Sequence, residues 1–98
     1  MSLSISFLRA AREEFIESAN WYKGKSLQLG LDFITEIERC LSLVAENPLS
    51  YEIIDKDIRR IVVKRFPFNV YYRVEAKRIV VLAVFHGKRD PQLWRARN

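Results

Sequence analysis

The sequence predicts an α+β fold in the order β-α-α-β-β-β, a helical hairpin packed on one face of a mostly antiparallel sheet. Three observations carry this. Residues 68–74 and 79–85 are apolar runs rich in Val, Tyr, Phe and Ile, residue types that suit a pleated, half-buried surface. Gly30, Phe33, Ile34, Ile37, Leu41, Val44 and Ala45 trace one apolar stripe at helical spacing. Near the start, period two gives way to a helical period.

In chain order, Leu3, Ile5 and Phe7 alternate with Ser4 and Ser6. This predicts a short first strand, with the last strand as the neighbour it would flank. From Arg9 to Lys23 a helix is expected, with Leu8, Ala11, Phe15, Ala19 and Tyr22 on one face and Arg12, Glu13, Glu17 and Asn20 on the other. Trp21-Tyr22 is expected to pack on the next helix, with nucleobase stacking as the functional alternative. Gly24-Lys25-Ser26 reads as the break. The second helix ends at Asn47-Pro48, where Asn tolerates a left-handed position and Pro cannot continue the helix. Cys40 lies beside the stripe and reads as an inert, buried thiol.

A brief strand around 51–54 is followed by a strand over 58–65, IRRIVVKR, and Phe66-Pro67 turns the chain. The next two runs form a hairpin through Glu75-Ala76-Lys77-Arg78. The last strand, 79–85, is apolar on both faces and should be central or covered on both sides. Gly87 and Pro91 stop it, and Asp90-Pro91 allows a short helical turn.

With 98 residues, 49% of them apolar and 30% charged, one ordinary globular domain spanning 1–98 is expected. The lone Cys40 cannot form an internal disulfide. No apolar run has transmembrane length and no secretory h-region is seen, so a cytoplasmic location is expected. The net charge of +5 is unevenly spread. Residues 1–55 carry five basic and nine acidic side chains, and 56–98 carry twelve basic and three acidic. The positive half favours a polyanion or an acidic protein as partner.

One His and one Cys do not furnish the usual four-ligand zinc site, and neither a phosphate-binding Gly-rich loop nor GxSxG is present. No metal or cofactor is expected. What remains is basic and aromatic. Arg59, Arg60, Lys64, Arg65, Arg73, Lys88, Arg89, Trp94 and Arg95 are the candidates for contact with a target or partner. Tyr71 and Arg97 share that character. Strand residues two apart share a face, so Arg60 and Lys64 are expected to join Arg73, His86 and Arg89 across the sheet. Such a cluster would grip phosphates or stabilise charge during RNA cleavage. His86, whose ordinary pKa is near neutrality, would be its acid or base, or would merely close a strand.

Several features in this order resemble the RelE/ParE superfamily of toxins from bacterial type II toxin–antitoxin modules. They are Trp21-Tyr22, the stripe into Asn47-Pro48, Arg59-Arg60, Phe66-Pro67-Phe68-x-Val70-Tyr71-Tyr72 and His86-x-x-Arg89-Asp90-Pro91. The resemblance implies a toxin neutralised by a cognate antitoxin, and leaves open a homodimer or a toxin–antitoxin hetero-oligomer. It offers two targets. The RelE-like branch cuts mRNA on the ribosome with basic residues spread over its sheet and an aromatic near the C-terminus. The ParE-like branch poisons DNA gyrase. Against the ribonuclease pattern Arg60 and Arg89 match. Val62 and Asn69 stand where basic residues belong, and Trp94 or Arg95 stands near the place of the C-terminal tyrosine. The resemblance therefore favours a ParE-like, non-enzymatic gyrase inhibitor. The alternative is a ribosome-dependent mRNA endonuclease using Arg60, Arg89 and His86.

Overall fold

The computed structural model describes residues 3–97. A strand β1 (Ser4–Phe7) leads into helices α1 (Arg9–Lys25) and α2 (Leu27–Glu46). Strands β2 (Glu52–Asp55), β3 (Ile58–Val62), β4 (Phe68–Glu75) and β5 (Arg78–His86) follow, and a single turn α3 (Gln92–Arg95) ends the chain. This is the expected α+β order, with the brief strand expected after the second helix present as β2.

The helices are joined more tightly than Gly24-Lys25-Ser26 suggested. Gly24 and Lys25 stay helical, and Ser26 alone breaks the chain with an extended backbone. Its Oγ accepts from the Leu29 N–H at 3.2 Å, capping α2. Gly30 lets the two helices approach, because a Cβ there would stand 2.9 Å from the Lys23 backbone nitrogen. Phe33, Ile37, Cys40, Val44 and Ala45 are all buried along the predicted stripe. Asn47 does not take the left-handed conformation expected of it (φ −137°, ψ 63°). Its N–H still closes on the Leu43 carbonyl at 3.1 Å, and Pro48 ends the helix.

The sheet order is β1-β5-β4-β3-β2. β1 runs parallel to β5 with Phe7 opposite Val81, and every other pairing is antiparallel. The first strand thus flanks the last, as its alternation suggested. β3 stops at Val62 rather than Arg65, because the chain bends over 64–67 and Arg65 adopts a positive φ of 71°. Only Ala76 and Lys77 separate β4 from β5.

The helical hairpin covers one face. Ala11, Ala19, Phe33, Ile37 and Val44 pack there against Ile61, Val70, Tyr72, Ile79, Val81 and Val84. The outer face holds a second apolar cluster of Ile58, Tyr71, Val80, Leu82, Ala83, Phe85 and Trp94. β5 is therefore buried on both faces, as its two apolar faces required, and lies between β1 and β4 along residues 78–81. Within β4–β5 the register shifts between Tyr71 and Tyr72, and Leu82 is the extra residue. Cys40 is wholly buried, and that burial pushes its thiol pKa up, with the nearby Arg39 opposing. It is an inert core group.

Candidate functional site

The candidate surface is the outer face of the sheet with its two edges, and strand register decides which side chains meet there. Arg60 stands opposite Tyr71, and Tyr71 opposite Ala83. Val62 faces Asn69, which faces Phe85, and Arg73 faces Val80. Paired residues share a face, so Arg60, Val62, Asn69, Tyr71 and Arg73 lie on the side away from the helices. Arg60 and Arg73 are diagonal neighbours across Tyr71.

The opposite alternation sends Arg59 to the helix side. Its Nη1 donates to the carbonyls of Tyr51 at 2.7 Å and Leu49 at 3.1 Å. It holds the loop between α2 and β2 to the sheet. Beside it the Tyr72 hydroxyl donates to the Pro48 carbonyl at 2.8 Å. His86, opposite Phe68, also lies on the helix side. Its ring is 5.3 Å from Phe68, and it lines a cavity with Ser18, Trp21, Tyr22 and Pro67. Its Nδ1 accepts from the Lys88 N–H at 3.1 Å.

The expected cluster of Arg60, Lys64, Arg73, His86 and Arg89 is therefore assembled only in part, with His86 and Arg89 apart from the rest. Arg60 and Arg73 share the outer face, and His86 is on the other. Lys64 follows the end of β3 and lines a cavity together with Arg39, Tyr51, Glu52 and Arg60. Arg89 leaves the sheet at the opposite edge, where its guanidinium covers Phe85 at 4.2 Å and lies 3.8 Å from Glu14. Strand alternation predicts a shared face only while the strand lasts. β3 ends before Lys64, and an imidazole opposite Phe68 must follow Phe68 inward.

Most of the cations are also tied to carboxylates. Arg60 pairs with Glu52, Arg73 with Glu75 at 3.1 Å, Arg65 with Asp32 at 3.4 Å and Arg95 with Asp55 at 3.6 Å. Glu75 also takes Arg78 at 2.7 Å. The hydrogen bonds from Arg78 and then Arg73 hold its carboxyl below the usual carboxylate range. Glu36 is lowered likewise, first by the Arg39 fork at 2.9 and 3.1 Å and also by the Lys64 N–H. Lys88 is exposed just after β5. Trp94 is buried on the outer face. Among the described residues no group of three His, Cys, Asp or Glu side chains could hold a metal.

Apolar exposure adds what the cation pattern missed. Trp21 does not pack on the second helix; it is 61% exposed and meets Tyr22 edge-on, with Lys25 Nζ 4.9 Å from its ring. Tyr22 is the one that packs on Phe33 and Phe66. A shallow apolar cavity between α1 and α2 is lined by Phe15, Ile16, Ala19 and Ile34. Ile16 is half exposed at its rim. The signal was present in the sequence, since Ile16 stands one position off the stripe.

The family described as ParE toxin of type II toxin-antitoxin system, parDE, matches residues 5–91 of this chain. No significant match exists among curated proteins. A solved structure described as the chromosomal ParDE TA system from P. aeruginosa is similar in fold, with a TM-score of 0.75 at 17% identity. That similarity covers 87% of this chain and 96% of the other. No helix among the described residues is long and apolar enough to cross a membrane.

Proposed function

We propose that this chain, which belongs to the ParE toxin family of type II toxin–antitoxin systems, arrests growth by binding and inhibiting DNA gyrase. It acts as a single domain in the cytoplasm and is silenced by a cognate antitoxin. The family match over residues 5–91 carries the reading.

The arrangement of charge supports binding over catalysis. RNA cleavage needs a proton-transfer group and cations converging on one phosphate. Here His86 faces the helices, while Arg60 and Arg73 face outward in ion pairs with Glu52 and Glu75. Exposed cations interspersed with apolar side chains such as Val62, which is 61% exposed, suit a protein surface. The apolar cavity between α1 and α2 suits the antitoxin: its Phe15, Ile16 and Ile34 walls offer anchors for an amphipathic segment. Basic side chains elsewhere would steer an acidic one.

The test is a supercoiling assay with purified toxin, followed by controlled expression. Inhibition of gyrase or accumulation of cleaved DNA is expected, together with growth arrest relieved by the antitoxin. Unimpaired gyrase, with cuts inside the codons of translated messages by primer extension, would replace this reading with the mRNA endonuclease.

A further inference from the structure

β1 ends at Phe7, opposite Val81, and the Leu8 N–H closes on the Val81 carbonyl at 3.0 Å. β5 continues to His86 with β4 on its other side. Among the described residues, 82–86 thus present an edge with no strand neighbour, and Leu82, Ala83, Val84 and Phe85 within it are buried and apolar. A central, apolar strand with a bare edge is a template for pairing with another chain.

Two side chains stand where a strand would be. Glu14 Oε1 accepts from the Val84 N–H at 3.1 Å. Arg97 Nη1 donates to the Leu82 carbonyl at 3.1 Å. The two are joined by a fork in which Arg97 Nη1 and Nη2 each reach a Glu14 oxygen at 2.9 Å. Both are largely buried, at 11% and 20% side-chain exposure, so the pair is charge-assisted and poorly screened. Glu14 sits on a rigid helix. Arg97 hangs on the chain after a four-residue turn whose other buried anchor is Trp94.

We propose that Glu14 and Arg97 form a latch that keeps the β5 edge closed, and that with the latch open this edge pairs with the same edge of a second copy. A two-fold axis at Val84 makes an antiparallel edge self-complementary. It would also let the Glu14 carboxylate of each copy face the arginines of the other, since each copy carries that carboxylate beside the guanidiniums of Arg89 and Arg97. The inference is independent of the toxin's target.

Amide hydrogen exchange at Val84, measured over a range of protein concentrations beside sedimentation velocity, tests it. In the wild type, protection is expected to be high and independent of concentration. In Arg97→Ala, protection should fall about tenfold or more in dilute protein. It should return as concentration rises, in step with a larger species. Glu14→Gln keeps an acceptor for the Val84 N–H while removing the charge, and should show the same trend more weakly. It serves as the readout if Arg97→Ala does not fold. Unchanged Val84 protection in the variants would show that the pair is no latch. Protection that stays low at every concentration, with no larger species, would show that the opened edge does not pair with a second copy. Either result overturns the proposal.

Discussion

The Trp94 indole lies flat on the Tyr71 ring, with centroids 4.4 Å apart and planes 15° from parallel. Trp94 is 3% exposed although it comes from a single helical turn near the end of the chain. With Ile58, Val80 and Phe85 it completes the outer cluster. It shares the cover of the outer side of β5 with Ile58, Tyr71 and the Arg89 guanidinium.

Trp94→Ala should therefore behave as a core truncation. A loss of about 3–5 kcal/mol is expected in a urea melt, by the measure of buried aromatic deletions. Trp94→Phe should retain most of the stability. A change under 1 kcal/mol for the alanine variant would mean that the turn is not docked in solution.

Tyr72 gives the fold a pH limit on the alkaline side. The side chain is wholly buried, and desolvation pushes its phenol from an ordinary 10 up to about 12, with Arg59 opposing. The folded state thus holds this proton more tightly than the unfolded state. Its contribution is complete below pH 10 and is lost as pH rises from 10 through 12. The difference is worth about 2–3 kcal/mol at the alkaline end. Tyr72→Phe should cost about 1 kcal/mol at neutral pH, through the unpaired Pro48 carbonyl. It should also flatten the alkaline decline. Equal slopes of stability against pH from 10 to 12 in the two proteins would refute this.

The elements were legible because each has its own period. The stripe into Asn47-Pro48 and the doubly apolar 79–85 run identified a buried helix and a central strand without further help. The candidate surface was less legible, for reasons of register and chain direction. IRRIVVKR alternates, but nothing in it marks where the strand stops, so Lys64 read as a strand residue; it lies past the strand and still lines one cavity with Arg60. Arg59 and Arg60 are chemically alike and adjacent, yet one holds a loop on the helix side and the other lies on the outer face. Glu14 and Arg97 are separated by nearly the whole chain. Only the early end of β1 gives them their shared role, and no local pattern announces that.

The two adjacent arginines provide the last prediction. Arg59 donates to the Leu49 and Tyr51 carbonyls from a partly buried position on the helix side. Arg60 pairs with Glu52, whose side chain is 61% exposed. Hydrogen bonds from a charged donor contribute about 1.5–3 kcal/mol, whereas exposed ion pairs contribute about 0–1 kcal/mol. Arg59→Ala should thus lower stability by about 2 kcal/mol and loosen the loop over 47–51, seen as faster amide exchange there. Arg60→Ala should leave stability within about 1 kcal/mol of wild type. Any loss of growth arrest in Arg60→Ala would then report on the contact surface and not on folding. If urea melts rank the two variants in the opposite order, the assignment of Arg59 as a strut and Arg60 as a surface group is wrong.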